Sequence, residues 1–326
     1  MAFRNGASAE RLSQSDEIAA IRWGLPVLRL GAHESIRGGM CKAFDRAQSV
    51  GCDAVQVFVK SNRSWAVRPF SEGEVARFRA RAEETGIHPV VGHASYLLNV
   101  ASPDDALWKK SRDMLRVELE RCQALGIPYL VLHPGSHVGA GEEVGLARVA
   151  QALGEVHAAT PGCRVQILLE TTAGQGTSLG RRFEELAWLT EHTPGGKRLG
   201  VCLDTCHVFA AGYELRTPDG YATTMESFDQ IVGLERLAAI HLNDSKGCLG
   251  SGRDRHSHIG QGHIGLEGFR HLLNDDRLAG LPGLLEMPKG DDLREDKENL
   301  ELLRSLVRPG DVPSPESTPD PPTTEA

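Results

Sequence analysis

The chain has 326 residues, 40% of them hydrophobic and 25% charged, with a formal net charge of −8. Its length falls within the range of one α/β barrel. No apolar run approaches the ~20 residues of a bilayer-crossing helix, and Met1 to Arg22 lacks the apolar core of a secretory leader, so the expectation is a cytosolic protein. The acidic balance argues against a general nucleic-acid binder, which shows a basic footprint, unless bound divalent cations reverse the local sign.

From residue 27 onward, apolar strand-like runs alternate with longer amphipathic stretches. The sequence predicts a strand at 27–34, a helix at 38–50, a strand at 54–60 and a helix at 71–85. It continues with a strand at 88–95, a helix at 103–125, a strand at 129–134 and a helix at 142–159. The second half gives strands at 165–171, 199–207, 237–244 and 283–288, and helices at 181–192, 224–236, 266–274 and 291–307. Gly51, Gly86, Gly126 and the Gly195-Gly196 pair stand where helices should end, as left-handed C-terminal positions require. Eight such units predict a (β/α)8 TIM barrel over residues 24–308. An open doubly wound sheet ranks below it, because only closure gathers many strand ends around one point. Residues 1–23 read as a loosely attached extension. Residues 309–326, rich in Pro, Ser, Thr and acid, read as a disordered tail. The connection from Ser245 to His263 is too long for structureless filler and is expected to fold over the site.

The candidate chemistry lies at the predicted strand ends. His93, His133, Glu170, Asp204, His207, His241 and Glu286 stand there, and Asp254 and His256 lie in the long connection. Taken singly, a strand-end histidine such as His88 or His137 is more often a hydrogen-bonded rim or core residue. Nine candidates at equivalent positions are hard to arrange by chance. Imidazoles with carboxylates suit zinc or manganese, and nine donors exceed the roughly four of one tetrahedral zinc, which implies two or three ions. The seven cysteines form no CxxC pair and read as reduced, structural residues. Strand alternation would put Cys202, Asp204 and Cys206 on one face.

Several motifs then converge. His133-Pro-Gly-Ser-His137, the run Glu170 to Gly180, Cys202 to Tyr213, His241-Leu-Asn-Asp-Ser-Lys246 and Asp254-Arg-His256 resemble, in order, the signatures of endonuclease IV, the zinc-dependent apurinic/apyrimidinic endonuclease. The resemblance covers about Gly31 to Leu303. It implies a xylose-isomerase-like TIM barrel with three zinc ions at its mouth, manganese being admissible at one position. By that resemblance His93, His133 and Glu170 hold one ion, and Glu170, Asp204, His241 and Glu286 a second. His207, Asp254 and His256 hold the third, so that Asp204 and His207 serve different ions. Glu170 and Glu286 are the expected catalytic carboxylates. The implied activity is hydrolysis of the backbone of double-stranded DNA 5′ to an abasic site, by a monomer, leaving a 3′-hydroxyl and a 5′-deoxyribose phosphate. Clustered metals suit such a reaction because they supply a nucleophile and neutralise phosphate charge. Arg63, Tyr96 and Leu97 match positions that insert into the duplex. The chain departs from the pattern at Met287, at Ala94 and at Ile36-Arg37, where Arg37 offers an added phosphate contact. Two other readings stay open: a sugar isomerase or epimerase with one or two metals, and a non-catalytic damage-binding protein.

Overall fold

The computed structural model describes residues 27–308. The expected N-terminal extension and C-terminal tail lie outside the described residues. The eight barrel strands are β1 (Arg29–His33), β2 (Ala54–Phe58), β3 (Val90–His93), β4 (Tyr129–Leu132), β5 (Gln166–Glu170), β6 (Leu199–Asp204), β7 (Leu237–His241) and, after two short strands, β10 (Pro282–Leu285). They pair in parallel, each sequential neighbour beside the next, and β10 closes against β1. The intervening β8 (Asp244–Ser245) and β9 (His256–Ser257) form a separate antiparallel ribbon. Among the described residues no helix is long and apolar enough to cross a membrane.

Parallel strands buried on both faces carry near-continuous apolar sequence, and β4 to β7 are buried at every position except the first of β5. Inside the barrel, Val91, Tyr129, Val131, Leu168, Cys202, Ala239 and Leu284 pack together. Outside it the strands meet a helical shell, including Phe44, Phe78, Leu115, Leu153, Phe183 and Phe269. The helices are α1 (Lys42–Ser49), α2 (Glu72–Thr85), α3 (Asp105–Leu125), α4 (Glu142–Ala159), α5 (Phe183–His192), α6 (Thr205–Ala211), α7 (Pro218–Ile231), α8 (Gly265–Leu273) and α9 (Arg294–Ser305). Gly86 and Gly126 end α2 and α3 at φ of 66° and 79°, the left-handed caps anticipated from the sequence.

Two of the element boundaries that differ from the sequence reading lie in the second half of the barrel. The predicted strand 199–207 stops at Asp204, whose carboxylate accepts the His207 N–H at 2.8 Å and caps α6. His207 and Cys206 therefore sit in a helical first turn, and the alternation that grouped Cys206 with Asp204 does not apply. The predicted helix 224–236 begins six residues earlier, at Pro218, with Thr217 accepting the Gly220 N–H. All seven cysteines are free, four of them buried, while Cys248 is exposed.

One largely buried charge cluster ties the barrel seam together just past the ends of β1 and β10. Lys289 donates to the His33 carbonyl at 2.8 Å and pairs with Glu34 at 3.4 Å and with Asp296 of α9. Two carboxylates share one ammonium there, and burial, with Asp296 beside it, pushes Glu34 up to about 7. A carboxyl raised above its unfolded value stabilises the fold below pH 4.5 and loses that contribution as pH rises through about 7. Urea unfolding of Glu34→Gln and the unmodified protein at pH 5, 6.5 and 8 should show the variant gaining relative stability as pH rises. A pH-independent difference would rule out this assignment.

Candidate metal centre

The site is assembled where the strands stop. His93, Glu170, Asp204 and His241 are the last residues of β3, β5, β6 and β7, and His133 and Glu286 directly follow β4 and β10. His207 comes from the first turn of α6, and Asp254 and His256 reach in from the long connection. What folds that connection back is Asp244. Its buried carboxylate accepts the backbone N–H groups of Ser245 (2.7 Å), Ile264 (2.9 Å), Gly260 and Gly262 (3.0 Å each) and Gly265 (3.3 Å).

Glu170 is fully buried at the centre. One carboxylate oxygen lies 3.3 Å from His93 Nε2 and 3.3 Å from His133 Nε2. The other lies 3.1 Å from His241 Nδ1 and 3.3 Å from His207 Nδ1. His241 Nδ1 is also 3.0 Å from Glu286 and 3.7 Å from Asp204. On the far side, Asp254 Oδ1 is 3.2 Å from His207 Nε2 and 3.5 Å from His256 Nε2, and its side chain keeps 48% of its exposure.

The imidazoles are pre-oriented. His93 Nδ1 contacts the Ala94 carbonyl at 2.7 Å, His207 Nδ1 the Thr171 carbonyl at 2.9 Å and His256 Nδ1 the Glu286 carbonyl at 3.3 Å. A carbonyl only accepts, so each Nδ1 carries the proton and each Nε2 turns an unprotonated face to the cluster whenever the ring is neutral. His241 is reversed: Nε2 donates to Gln56 Oε1 at 2.9 Å, and Nδ1 faces the carboxylates.

The donor set fits divalent cations. Candidate ligand atoms within 4.8 Å of one another form the sets His93/His133/Glu170, Glu170/Asp204/His241/Glu286 and His207/Asp254/His256. His256 Nε2 is buried with no hydrogen-bond partner, which a ligand role would relieve. A fourth set, Asp204/Cys206/His256, includes a thiol, but burial pushes Cys206 up to about 12, and the neutral thiol donates to the Arg255 carbonyl at 3.6 Å.

The electrostatics agree with that donor set. Burial opposes ionisation of Glu170 and Glu286, yet the imidazoles of His133 and His241 hold Glu170, and His241 and His33 hold Glu286, well below the usual carboxylate range. Burial likewise opposes charge on His207, but Asp204, Asp254 and Glu170 raise it well above its ordinary value. His241 is raised against the same burial, with Cys202, Glu286 and Glu170 beside it. His133, where burial dominates, is lowered.

Three supporting residues escaped the sequence reading. Gln56, an interior residue of β2, donates to Glu286 at 2.5 Å besides accepting from His241. Asn243 donates to Asp204 Oδ2 at 2.6 Å and accepts the Glu286 N–H at 2.9 Å. The Thr171 hydroxyl accepts the Asp204 N–H at 2.9 Å. A polar residue inside a barrel strand was the available signal for Gln56. The departure at Ala94 leaves His93 oriented, because the contact is to the backbone carbonyl. Met287 is buried in the core, and Arg37 lies 3.9 Å from Asp291 at the surface.

At the rim, Tyr96 is 62% exposed and stands edge-on to Phe58 at 5.3 Å, Arg63 is exposed, and Leu97 is half-buried. Tyr96 and His133 both line a cavity of about 320 Å³ beside the cluster.

Comparison with known proteins agrees with this geometry. The xylose isomerase-like TIM barrel family matches residues 44–306. A probable endonuclease 4 of Chloroflexus aurantiacus is 57% identical over 280 residues, covering 86% of this chain and 98% of the relative. The crystal structure of endonuclease IV from Thermus thermophilus superposes with a TM-score of 0.76 at 42% identity, covering 85% of this chain and 98% of that one. A D-tagatose 3-epimerase-like protein shares the fold at a TM-score of 0.63 and 19% identity, with 86% of this chain and 98% of that one covered.

Two measurements test the centre. Loading the metal-free protein with zinc at pH 7 should release at least two protons per chain, from His207 and His241, and affinity should fall as pH falls. Calorimetry in buffers of different ionisation heat reads the proton count, and a release below one proton would contradict the charge balance above. Gln56→Leu strips the outer bond from His241 and Glu286, so zinc affinity by chelator competition should drop about 10- to 100-fold.

Proposed function

The chain belongs to the endonuclease IV family, enzymes that hydrolyse phosphodiester bonds, and from that premise we propose that it incises double-stranded DNA 5′ to abasic sites, leaving a 3′-hydroxyl and a 5′-deoxyribose phosphate. The observation that carries this reading is the clustering of nine His, Asp and Glu side chains, from six strand ends, one helix turn and the folded-back connection, with the buried Glu170 carboxylate, one of the nine, at its centre. In the proposal His93, His133 and Glu170 hold one zinc ion. Glu170, Asp204, His241 and Glu286 hold a second, and His207, Asp254 and His256 hold a third, with manganese admissible at one of the positions. Bound divalent ions would supply a nucleophile from water at neutral pH and neutralise charge on the phosphate.

The chain's own residues supply position. Glu170 joins the first two donor sets, so its carboxylate fixes their spacing. Glu286 is tied to Gln56 and His241, and Asp204 to Asn243 while it caps α6. Selectivity comes from shape: a missing base lowers the cost of extruding the nucleotide from the stack. Arg63, Tyr96 and Leu97 enter the duplex beside the gap. The cavity beside His133 gives the displaced sugar-phosphate room outside the helix. The enzyme acts as a cytosolic monomer on this reading. The barrel is common to epimerases, so fold alone does not choose between the two chemistries; a donor set large enough for more than two ions supports phosphodiester hydrolysis.

The test is nicking of a duplex with a single abasic site by zinc-loaded protein, before and after chelation. Incision should stop on chelation and return with zinc. Glu286→Gln should lower the rate by more than about 100-fold while circular dichroism stays unchanged. Turnover of a free ketose without nicking would favour the epimerase chemistry, and tight binding of the abasic duplex without nicking would favour a damage-binding protein.

A further inference from the structure

Beneath the two rim loops lies an ion pair that the metal centre does not use. Lys60, at the entry to the loop after β2, and Glu118, midway along α3, are 4% and 0% exposed. Their charged atoms are 3.6 Å apart. Each also holds a residue near the start of a rim loop: Lys60 Nζ donates to the Ser61 carbonyl at 2.7 Å, and Glu118 Oε2 accepts the Ser95 N–H at 3.0 Å. The two loops then join directly, the Ser95 hydroxyl donating to the Asn62 carbonyl at 3.1 Å. Arg63 and Tyr96 are the next residues along each loop. Arg121, one turn further on α3, donates to the Val59 and Arg68 carbonyls at 2.7 Å each and so fixes both outer ends of the first loop.

We propose that the buried Lys60–Glu118 pair is a brace that locks these two loops to each other, so that Arg63 and Tyr96-Leu97 enter DNA as one rigid unit; the proposal rests on the abasic-DNA reading above. Lys60 and Glu118 are positioning residues and touch no substrate. A buried ion pair is a poor device for stability alone, since apolar side chains of similar volume are often as good or better. What apolar side chains cannot do is accept the Ser95 N–H or donate to the Ser61 carbonyl. Glu118 Oε1 has no hydrogen-bond partner and faces the Lys60 ammonium at 3.6 Å. Any movement of one loop away from the other therefore uncovers a buried charge, which couples the two loops energetically. Prising a nucleotide from a duplex works against stacking, and a probe that must first be ordered loses affinity to that ordering.

The experiment uses the full-length, zinc-loaded protein and Lys60→Met/Glu118→Leu, which fills the space without the polar bonds, with Glu118→Gln beside it, which keeps an oxygen for the Ser95 N–H. Three readouts are taken: zinc content, hydrolysis of bis(4-nitrophenyl) phosphate, which needs no insertion, and nicking of an abasic duplex carrying 2-aminopurine opposite the gap. The double variant should keep its zinc and its bis(4-nitrophenyl) phosphate rate. Its KM for the abasic duplex should rise about tenfold or more, and the 2-aminopurine signal on binding should shrink. Glu118→Gln should fall between the two. The brace is overturned if the unmodified protein nicks and brightens 2-aminopurine while the double variant matches it. It is equally overturned if the bis(4-nitrophenyl) phosphate rate falls in parallel with abasic affinity, which would place the effect at the metal centre. If the double variant does not fold, Glu118→Gln decides in the same way, an unchanged KM counting against the brace. Failure of the unmodified protein to nick or to brighten 2-aminopurine would instead sink the abasic-DNA reading, and the brace with it.

Discussion

The centre depends on one carboxylate that cannot exist alone. Glu170 is fully buried at the end of β5, and a bare carboxylate in such a place carries a large desolvation cost. Imidazoles from β3, the β4 exit, α6 and β7 surround it within 3.3 Å. Its charge is tolerable only with compensating positive charge close by. Closure of the barrel is what permits this. In an open sheet the four partners would be strung along an edge, and no single carboxylate could touch them all.

Around that centre the fold supplies fixed orientation. Backbone carbonyls at Ala94, Thr171 and Glu286 each hold one nitrogen of a histidine, so ring direction follows from strand and loop geometry and survives side-chain change at Ala94. Gln56 and Asn243 hold the carboxylates in the same sense. Asp244 does at a larger scale what a helix cap does locally. By gathering five backbone donors it turns the long connection into a defined lid, and that lid carries Asp254 and His256 to His207.

Much of this was legible in the sequence because strand ends are. An apolar run that delivers one polar residue before a turn has a simple geometric meaning in a parallel barrel, and His93, Glu170, Asp204 and His241 obey it. His207 was read as a strand end as well, but it sits in the first turn of the helix that follows. Val201-Cys-Leu-Asp-Thr-Cys reads as continued alternation, and nothing local shows that Asp204 will stop the strand by capping the next helix. Gln56 was hidden for the opposite reason: a lone amide in Val55-Gln-Val-Phe58 looks like a strand residue facing water until the barrel closes and puts it against His241 and Glu286. Asp244 sits within His241-Leu-Asn-Asp-Ser-Lys246, where a carboxylate next to candidate ligands is read as one of them rather than as the anchor of a lid.

The acidity of the chain, which argues against DNA at first sight, has a specific distribution. Four of the eight excess negative charges belong to Asp311, Glu316, Asp320 and Glu325, in a terminal segment without a single Lys or Arg. Four more are Glu170, Asp204, Asp254 and Glu286, the carboxylates of the candidate centre. With both groups set aside, the remaining charges balance. Three bound divalent cations, on the proposed occupancy, would then more than cancel the four carboxylates and leave a positive centre at the barrel mouth, surrounded by a rim that carries Arg63 and Arg37. Net charge describes the whole chain, whereas a phosphate approaching the mouth within a Debye length of about 8–10 Å responds to that centre.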